Sequence, residues 1–277
     1  MTDEALIDEG KSAAIEFDRL VYEVPGGRTI LDDISLRIER GTATALLGRS
    51  GSGKTTLLRT VNRMQPVTSG EVRVRGRSVA QSDPIALRRS IGYVIQETGL
   101  FPHFTVERNI GLVLEVEGKR QDEIAPRARE LMDTVGLDGA QFARRLPHQL
   151  SGGQRQRVGL ARALAAGQDI LLMDEPFGAL DPLTRAEMQD VMRGIMKRMP
   201  VTVLLVTHDL DEALYLAERV VLVSEGKIAA DLPAQEFLHS DQPAVREYVV
   251  AVHRGTGSRG DGHAQAGAGP LRGRDAP

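Results

Sequence analysis

Ala43-Thr44-Ala45-Leu46-Leu47-Gly48-Arg49-Ser50-Gly51-Ser52-Gly53-Lys54-Thr55 is the stretch on which the fold turns. Ala43 to Leu47 reads as a short, continuous, largely apolar strand. A Gly-rich turn follows, and then a helical stretch from about Lys54 to Arg63. The turn fits the spacing G-x-x-x-x-G-K-[ST], and it sits between a buried strand and a helix as a phosphate cradle requires. In such a cradle the glycines let backbone N–H groups curl around phosphate oxygens, and the helix N-terminus adds the positive end of its dipole. Lys54 is suited to neutralise charge on the β and γ phosphates, and Thr55 offers a hydroxyl to Mg²⁺. The candidate ATP-binding residues here are Gly48, Arg49, Ser50, Gly51, Ser52, Gly53, Lys54 and Thr55, with Thr56 beside them. ATP and Mg²⁺ are the expected ligands. An ordinary Gly-rich turn is the competing explanation, and the strand-helix context argues against it.

Outward from this loop, Ile15 to Tyr22 and Ile34 to Ile38 alternate in polarity around the turn-forming Pro25-Gly26-Gly27, which reads as antiparallel strands. Glu71 to Arg75 and Ile91 to Ile95 read as further strands, and Pro84 to Arg89 as a short helix opening on Pro. The β content is expected mainly in the first hundred residues. From Thr105 to about Leu164 the apolar spacing shifts to three and four, with helices expected at Val106 to Glu117, Asp122 to Val135 and Gly152 to Ala165. Then Ile170 to Met173 and Val201 to Val206 are short buried strands flanking a helix at about Thr184 to Met199, the alternation of a parallel sheet. A hairpin at Glu225-Gly226 and a short helix after Pro233 are expected to end the ordered part. The fold class is therefore α/β: a P-loop NTPase core with a mostly parallel sheet, an N-terminal antiparallel β layer and an inserted helical subdomain at about 97–165. Residues 1–14 read as an N-terminal extension, 15–254 as the ATPase domain, and Gly255 to Pro277, rich in Gly, as a disordered tail.

Two further motifs carry chemistry. Ile170 to Met173 runs into Asp174-Glu175, which places two carboxylates where a buried strand emerges, on the edge where open parallel sheets bind ligands. Asp174 is assigned to Mg²⁺ through water, and Glu175 to polarising the water that attacks the γ-phosphate. A solvated acidic strand end would explain these two residues alone, but not their partnership with the phosphate loop. Leu150-Ser151-Gly152-Gly153-Gln154 opens a helix, with Ser151 as a natural N-cap and two glycines that allow an anion to approach the backbone closely. A plain capped helix would account for Ser151 but not for Gly-Gly in a first turn, where Gly is costly.

On these residues the chain resembles the ATP-binding cassette ATPases, whose signature looks like the stretch Leu150 to Gln154, and the resemblance covers about Ile15 to Asp231. It implies that Tyr22 stacks on adenine, that Gln96 is the Q-loop glutamine near Mg²⁺, and that Gly178 to Asp181 is the D-loop, with Asp181 its acid. It implies too that His208 is the histidine that contacts the γ-phosphate. By themselves a lone Tyr belongs in a core, a lone Gln on a surface and a lone His in a structural role; their order relative to Lys54, Ser151 and Glu175 makes the case. The resemblance also implies a head-to-tail homodimer, in which the Lys54 loop of one subunit and Ser151, Gly152, Gly153 and Gln154 of the other close on one ATP.

Within the family, Ser90 to Gln96, Gly99 to His103 and Leu146-Pro147-His148 look most like importers of glycine betaine, choline and similar osmoprotectants. Other importer classes, for amino acids, phosphonates or polyamines, are the alternative. The partners implied are an integral membrane permease and a separate substrate-binding protein, with Leu100, Phe101 and Phe104 lining a groove for a permease helix, or else packing inside. Many members of that subgroup carry paired regulatory CBS domains after the cassette, where this sequence has its Gly-rich stretch.

Composition narrows the classes that remain. Lys plus Arg number 35 against 38 Asp plus Glu, a formal charge of -3, which gives no electrostatic reason to expect a nucleic-acid partner. The absence of Cys excludes disulfides and Cys-ligated metals and fits a reducing compartment. Met1 to Lys11 lacks the features of a secretory signal, and no apolar run approaches the roughly 20 residues that cross a bilayer. The expected place is the cytoplasmic face of the inner (plasma) membrane, held there by a partner. A soluble cassette protein of translation or DNA repair would bring two cassettes or a long coiled coil, and a small-molecule kinase would leave Ser151 to Gln154 unexplained.

Overall fold

The computed structural model describes residues 13–96 and 98–257, the last three of these by their backbone alone. The chain opens with β1 (Ala13–Glu23) and β2 (Thr29–Glu39), then β3 (Ala43–Leu47), α1 (Lys54–Val61), β4 (Ser69–Val74), β5 (Arg77–Ser78), α2 (Pro84–Arg89) and β6 (Gly92–Ile95). A helical stretch follows, with α3 (Val106–Val116), α4 (Gln121–Thr134), α5 (Gly139–Phe142) and α6 (Gly152–Ala163). The remainder comprises β7 (Ile170–Asp174), α7 (Pro182–Arg198), β8 (Thr202–Thr207), α8 (Leu210–Leu216), β9 (Arg219–Ser224), β10 (Lys227–Pro233), α9 (Ala234–Phe237) and α10 (Pro243–Gly257).

Two sheets result. The first is antiparallel in the order β2-β1-β4-β5; the second, in the order β10-β9-β3-β8-β7-β6, is parallel except for the β9–β10 hairpin. The fold is α/β, with the antiparallel layer, the mostly parallel sheet and the helical stretch that the sequence implied. Most strand residues lie in the first hundred, in β1 to β6, as expected, while β7, β8, β9 and β10 supply four of the six strands of the larger sheet. β7 and β8 are short and buried throughout, and they fall where Ile170 to Met173 and Val201 to Val206 were read as strands.

The larger sheet is buried on both faces. Ala43, Ala45, Leu47, Leu171, Met173, Val203 and Leu205 join one apolar cluster with α3, α4, α6, α7 and α8. Leu46, Ile170, Leu172, Leu204 and Val206 join another, filled from the opposite side by Leu57 and Leu58 of α1 and by Ile15, Phe17, Ile34 and Leu36 of the antiparallel sheet. Successive residues of one strand thus serve opposite cores, which is why β3, β7 and β8 read as unbroken apolar runs.

Pairing register then decides where the chemistry falls. Leu47 pairs with Thr207, Val206 with Asp174, and Asp174 with Ile95, so the C-terminal ends of β3, β8, β7 and β6 form one row. Gly48, His208, Glu175 and Gln96 each stand one residue past those ends. Helix α10 is a departure from the sequence reading, which ended the ordered part at the short helix after Pro233. Val245 and Tyr248 bury into the core from α10 and hold it to the domain. Residues 1–12 and 258–277 of the expected extension and tail lie outside the described residues.

Candidate nucleotide site

The turn between β3 and α1 has the conformations only glycine accepts readily. Gly48 has φ of +151°, and a Cβ there would lie 2.2 Å from the carbonyl oxygen of Val223. Gly53, at φ +103°, would bring a Cβ to 2.9 Å from the Ile30 carbonyl. The loop is therefore pressed against β9 and β2, with no room for side chains on that side. Gly53 is also the N-cap of α1 and supplies no side-chain oxygen, so the first-turn amides have no side-chain cap.

Lys54 is buried, and its Nζ donates to the carbonyls of Gly48 and Arg49, each at 2.8 Å. Two of its three N–H donors hold the loop, and the third is left for an anion. Burial lowers its pKa from the ordinary lysine value, while the charges of Glu175 and Asp174 pull it back up. Ser52 Oγ is buried without a partner, an orphaned polar atom inside the same loop. Orphaned groups of this kind in native folds call for an explanation, and a phosphate oxygen provides one.

At the head of α1, Thr55 Oγ1 donates to Asp174 Oδ1 at 2.7 Å. The other carboxylate oxygen, Oδ2, accepts from Arg59 Nη2 and from Tyr93 Oη, both at 3.2 Å. Burial, the largest cause, pushes the Tyr93 phenol up, which keeps it a donor. Arg59 and Tyr93 were not singled out in the sequence: Arg59 lies four residues, one helical turn, beyond Thr55, and that spacing was the available signal. Glu175 adopts φ of +48°, the left-handed region that a non-glycine residue seldom enters. Its amide is fastened to the Val206 carbonyl at 3.0 Å, and its Oε2 stands 3.2 Å from His208 Nδ1. Strained backbone held by its surroundings is a mark of functional positions.

These groups line two adjoining clefts. Tyr22, Ser50, Gly51, Gly53, Lys54, Thr55, Thr56 and Glu175 border one of about 360 Å³, to which Arg28 and Gln65 also contribute. Thr55, Gln96, Asp174 and Glu175 border the other, of about 600 Å³, with Arg59, Tyr93 and Arg162. Tyr22 is half-buried and Gln96 exposed, so both offer surface to a ligand.

Ser151 to Gln154 line neither cleft. Ser151 caps α6 by accepting from the Gln154 amide at 3.2 Å, and Gln154 Oε1 returns an acceptor to the Ser151 amide at 3.0 Å. This reciprocal box leaves Ser151 and Gly152 exposed. Gly153 has a different reason from the one read in sequence: it is buried, and a Cβ there would stand 2.3 Å from Thr184 Cγ2 at the start of α7. Asp181 caps α7 by accepting from the Thr184 amide at 3.1 Å, and hydrogen bonding to Thr184 holds its carboxyl below the usual range. Gln156, also unforeseen, hydrogen-bonds from α6 to the carbonyls of Pro176 and Ile95 and so fixes α6 to the ends of β7 and β6.

An α/β domain with a phosphate-type loop at the C-terminal edge of a parallel sheet defines the class: a P-loop nucleotide-binding domain. A model of the family described as ABC transporter matches residues 31–178. The chain belongs to the ABC transporter family, and within it to the ATP-binding subunits. It is 46% identical over 214 residues to the glycine betaine uptake system ATP-binding protein YehX of Escherichia coli (strain K12), covering 77% of this chain and 69% of that one. It is 40% identical over 236 residues to the carnitine transport ATP-binding protein OpuCA of Listeria monocytogenes serotype 1/2a (strain 10403S), covering 85% of this chain but only 59% of the relative's length. A sulfate/thiosulfate import ATP-binding protein, CysA of Nocardia farcinica (strain IFM 10152), is 44% identical over 239 residues, covering 82% and 71%. Among solved structures, the dimeric post-hydrolysis state of the ATP-binding cassette MJ0796, bound to ADP and Pi, superposes with a TM-score of 0.71 at 31% identity, covering 79% of this chain and 98% of that one.

Proposed function

We propose that this chain binds and hydrolyses ATP as the motor subunit of an ABC importer that takes up a quaternary amine osmoprotectant such as glycine betaine or choline. The observation that carries the reading is the convergence of Lys54, Thr55, Asp174, Glu175 and His208 at one sheet edge. The main-chain amides of the loop grip the phosphates, and Lys54 supplies the free N–H donor and charge. Glu175 orients the attacking water, and His208, whose Nδ1 stands 3.2 Å from the Glu175 carboxylate, fixes its direction toward the γ-phosphate. Tyr22 stacks on the adenine.

Thr55 Oγ1 and Asp174 Oδ1 form a pair of hard oxygen donors of the kind Mg²⁺ takes, with Gln96 at the same cleft. Among the described residues no group of three or more His, Asp or Glu is gathered to hold a metal alone, which suits an ion that leans on nucleotide phosphates. When bound, Mg²⁺ would supply charge neutralisation to the nucleotide phosphates.

The exposed Ser151 and Gly152, outside both clefts, suit the role of completing the ATP site of a second copy, so the working unit is a head-to-tail homodimer, as MJ0796 forms a dimer. Among the described residues no helix is long and apolar enough to cross a membrane. Attachment to the cytoplasmic face therefore runs through an integral permease, with a separate binding protein selecting the substrate. The exposed Phe101 and its neighbour Phe104 are the contact surface for that permease. The osmoprotectant assignment rests on the names of the relatives; the likeness to the sulfate/thiosulfate protein favours a second reading, an importer of another substrate class.

Glu175→Gln should retain ATP binding and slow hydrolysis by about 10² to 10⁴. Wild-type turnover in that variant would refute the role of Glu175. Labelled glycine betaine uptake in cells lacking the chain tests the substrate; undiminished uptake excludes it.

A further inference from the structure

Helix α10 was not foreseen from the sequence, and it reaches the nucleotide site from behind. Tyr248 is buried to 8% exposure and belongs to the same apolar cluster as Leu210 and Val245. Its hydroxyl donates to the main-chain carbonyl of His208 at 3.1 Å. The preceding residue, Glu247, stands 3.9 Å from Arg49 of the phosphate loop. That exposed ion pair is worth little by itself. Between the loop and the helix lies a cavity of about 440 Å³, so α10 meets the site at these two points and is not packed flush against it.

His208 lies in a short link between β8 and α8, and its side chain is more than half exposed. Hydrogen bonds fix its neighbours: the Asp209 amide donates to the side-chain Oγ1 of Thr207 at 3.0 Å, and the amide of Glu175, its side-chain partner, donates to the Val206 carbonyl. The phenol of Tyr248 adds the hold on His208 itself. Burial pushes that phenol up to about 12, so it remains a donor throughout the working pH range.

We propose that Tyr248 is a positioning residue for hydrolysis: by holding the His208 carbonyl, α10 sets the angle at which the imidazole meets Glu175. The inference rests on the ATPase reading above. Small displacements of a catalytic group cost rate steeply, while ground-state binding, carried by the phosphate loop, is indifferent to them.

Tyr248→Phe removes one oxygen and keeps the ring in its apolar seat. In the purified chain, kcat for ATP should fall about three- to tenfold, with KM and equilibrium nucleotide affinity unchanged. The melting temperature should stay within about 2 °C. In a His208→Ala background the same substitution should cost nothing further, since the imidazole through which it acts is gone. A wild-type kcat in Tyr248→Phe, or an equal loss with and without His208, overturns the inference and leaves the ATPase reading standing. A wild-type chain that does not hydrolyse ATP overturns both.

Discussion

Two helices of this protein begin with glycine-rich turns, and they solve the problem of unpaired amides in opposite ways. At α1 the N-cap is Gly53, which offers no side-chain acceptor, and the loop before it is crowded against Val223 and Ile30. At α6 the N-cap is Ser151, whose hydroxyl and its Gln154 counterpart satisfy one another in the open. The first start has no side-chain cap, is buried and has a lysine folded across it; the second is complete in itself and faces solvent. A preformed anion site keeps its donors without side-chain partners at a cost in local stability, whereas a surface that waits for a second molecule can remain capped until that molecule arrives.

Removing the charge at the first start should have the largest effect. Lys54→Ala is expected to weaken ATP binding about ten- to a hundredfold, the usual worth of a charged hydrogen bond. Titration with a fluorescent nucleotide reads this directly, and unchanged affinity would dissolve the contrast. Gly153→Ala should destabilise by about 1–3 kcal/mol through overpacking on Thr184. Adding Thr184→Ser, which deletes the offending methyl and keeps the hydroxyl, should restore the melting temperature; failure to restore it would return Gly153 to an anion-binding role. Ser151→Ala should cost about 1 kcal/mol as a lost cap. It should leave nucleotide binding to one chain intact and weaken ATP-dependent dimerisation, followed by light scattering with Glu175→Gln as the reference.

The smallest effect concerns a third start, α8, where Asp209 accepts from the Glu212 amide at 3.1 Å. Burial, helped by the neighbouring Asp209 charge, pushes the Glu212 carboxyl from 4.5 up to about 8. The unfolded chain would release that proton near 4.5 and the folded one near 8. The fold therefore holds the extra proton across this window, and stability falls as pH rises through it and levels off above. Arg185, Thr207 and Glu175 are the other groups that bear on it. Glu212→Gln should flatten this slope, and at pH about 8 its melting temperature should exceed the wild type's by a few degrees; parallel pH profiles would count against it.

Much of the architecture was legible because local chemistry and tertiary context agree. Ala43 to Leu47, Pro84 to Arg89 and the Glu225-Gly226 hairpin fall where pattern and turn residues put them. Strand order was not legible, since β3 lies between β8 and β9, more than a hundred residues away in the chain. Helix α8 is too short to display a period, although Asp209 followed by Glu212 was a usable start signal. Helix α10 was hidden by the Gly-rich composition just beyond it, even though Ala244, Val245, Tyr248, Val249 and Val252 share one helical face. At the site, motif residues announced themselves, whereas Tyr93 and Gln156 act through contacts between separate elements and carry no spacing of their own, and Arg59 had only its place one turn beyond Thr55 to mark it.

The alignment of four strand ends along one sheet edge means that the groups assigned to chemistry are held in step by ladder pairing, not by the side chains themselves. A slip of one residue in any of those strands would turn its outlet to the opposite core. The amides of the buried strands β3, β7 and β8 should be among the last to exchange with solvent, so competence at this edge and survival of the whole fold should vanish together on heating.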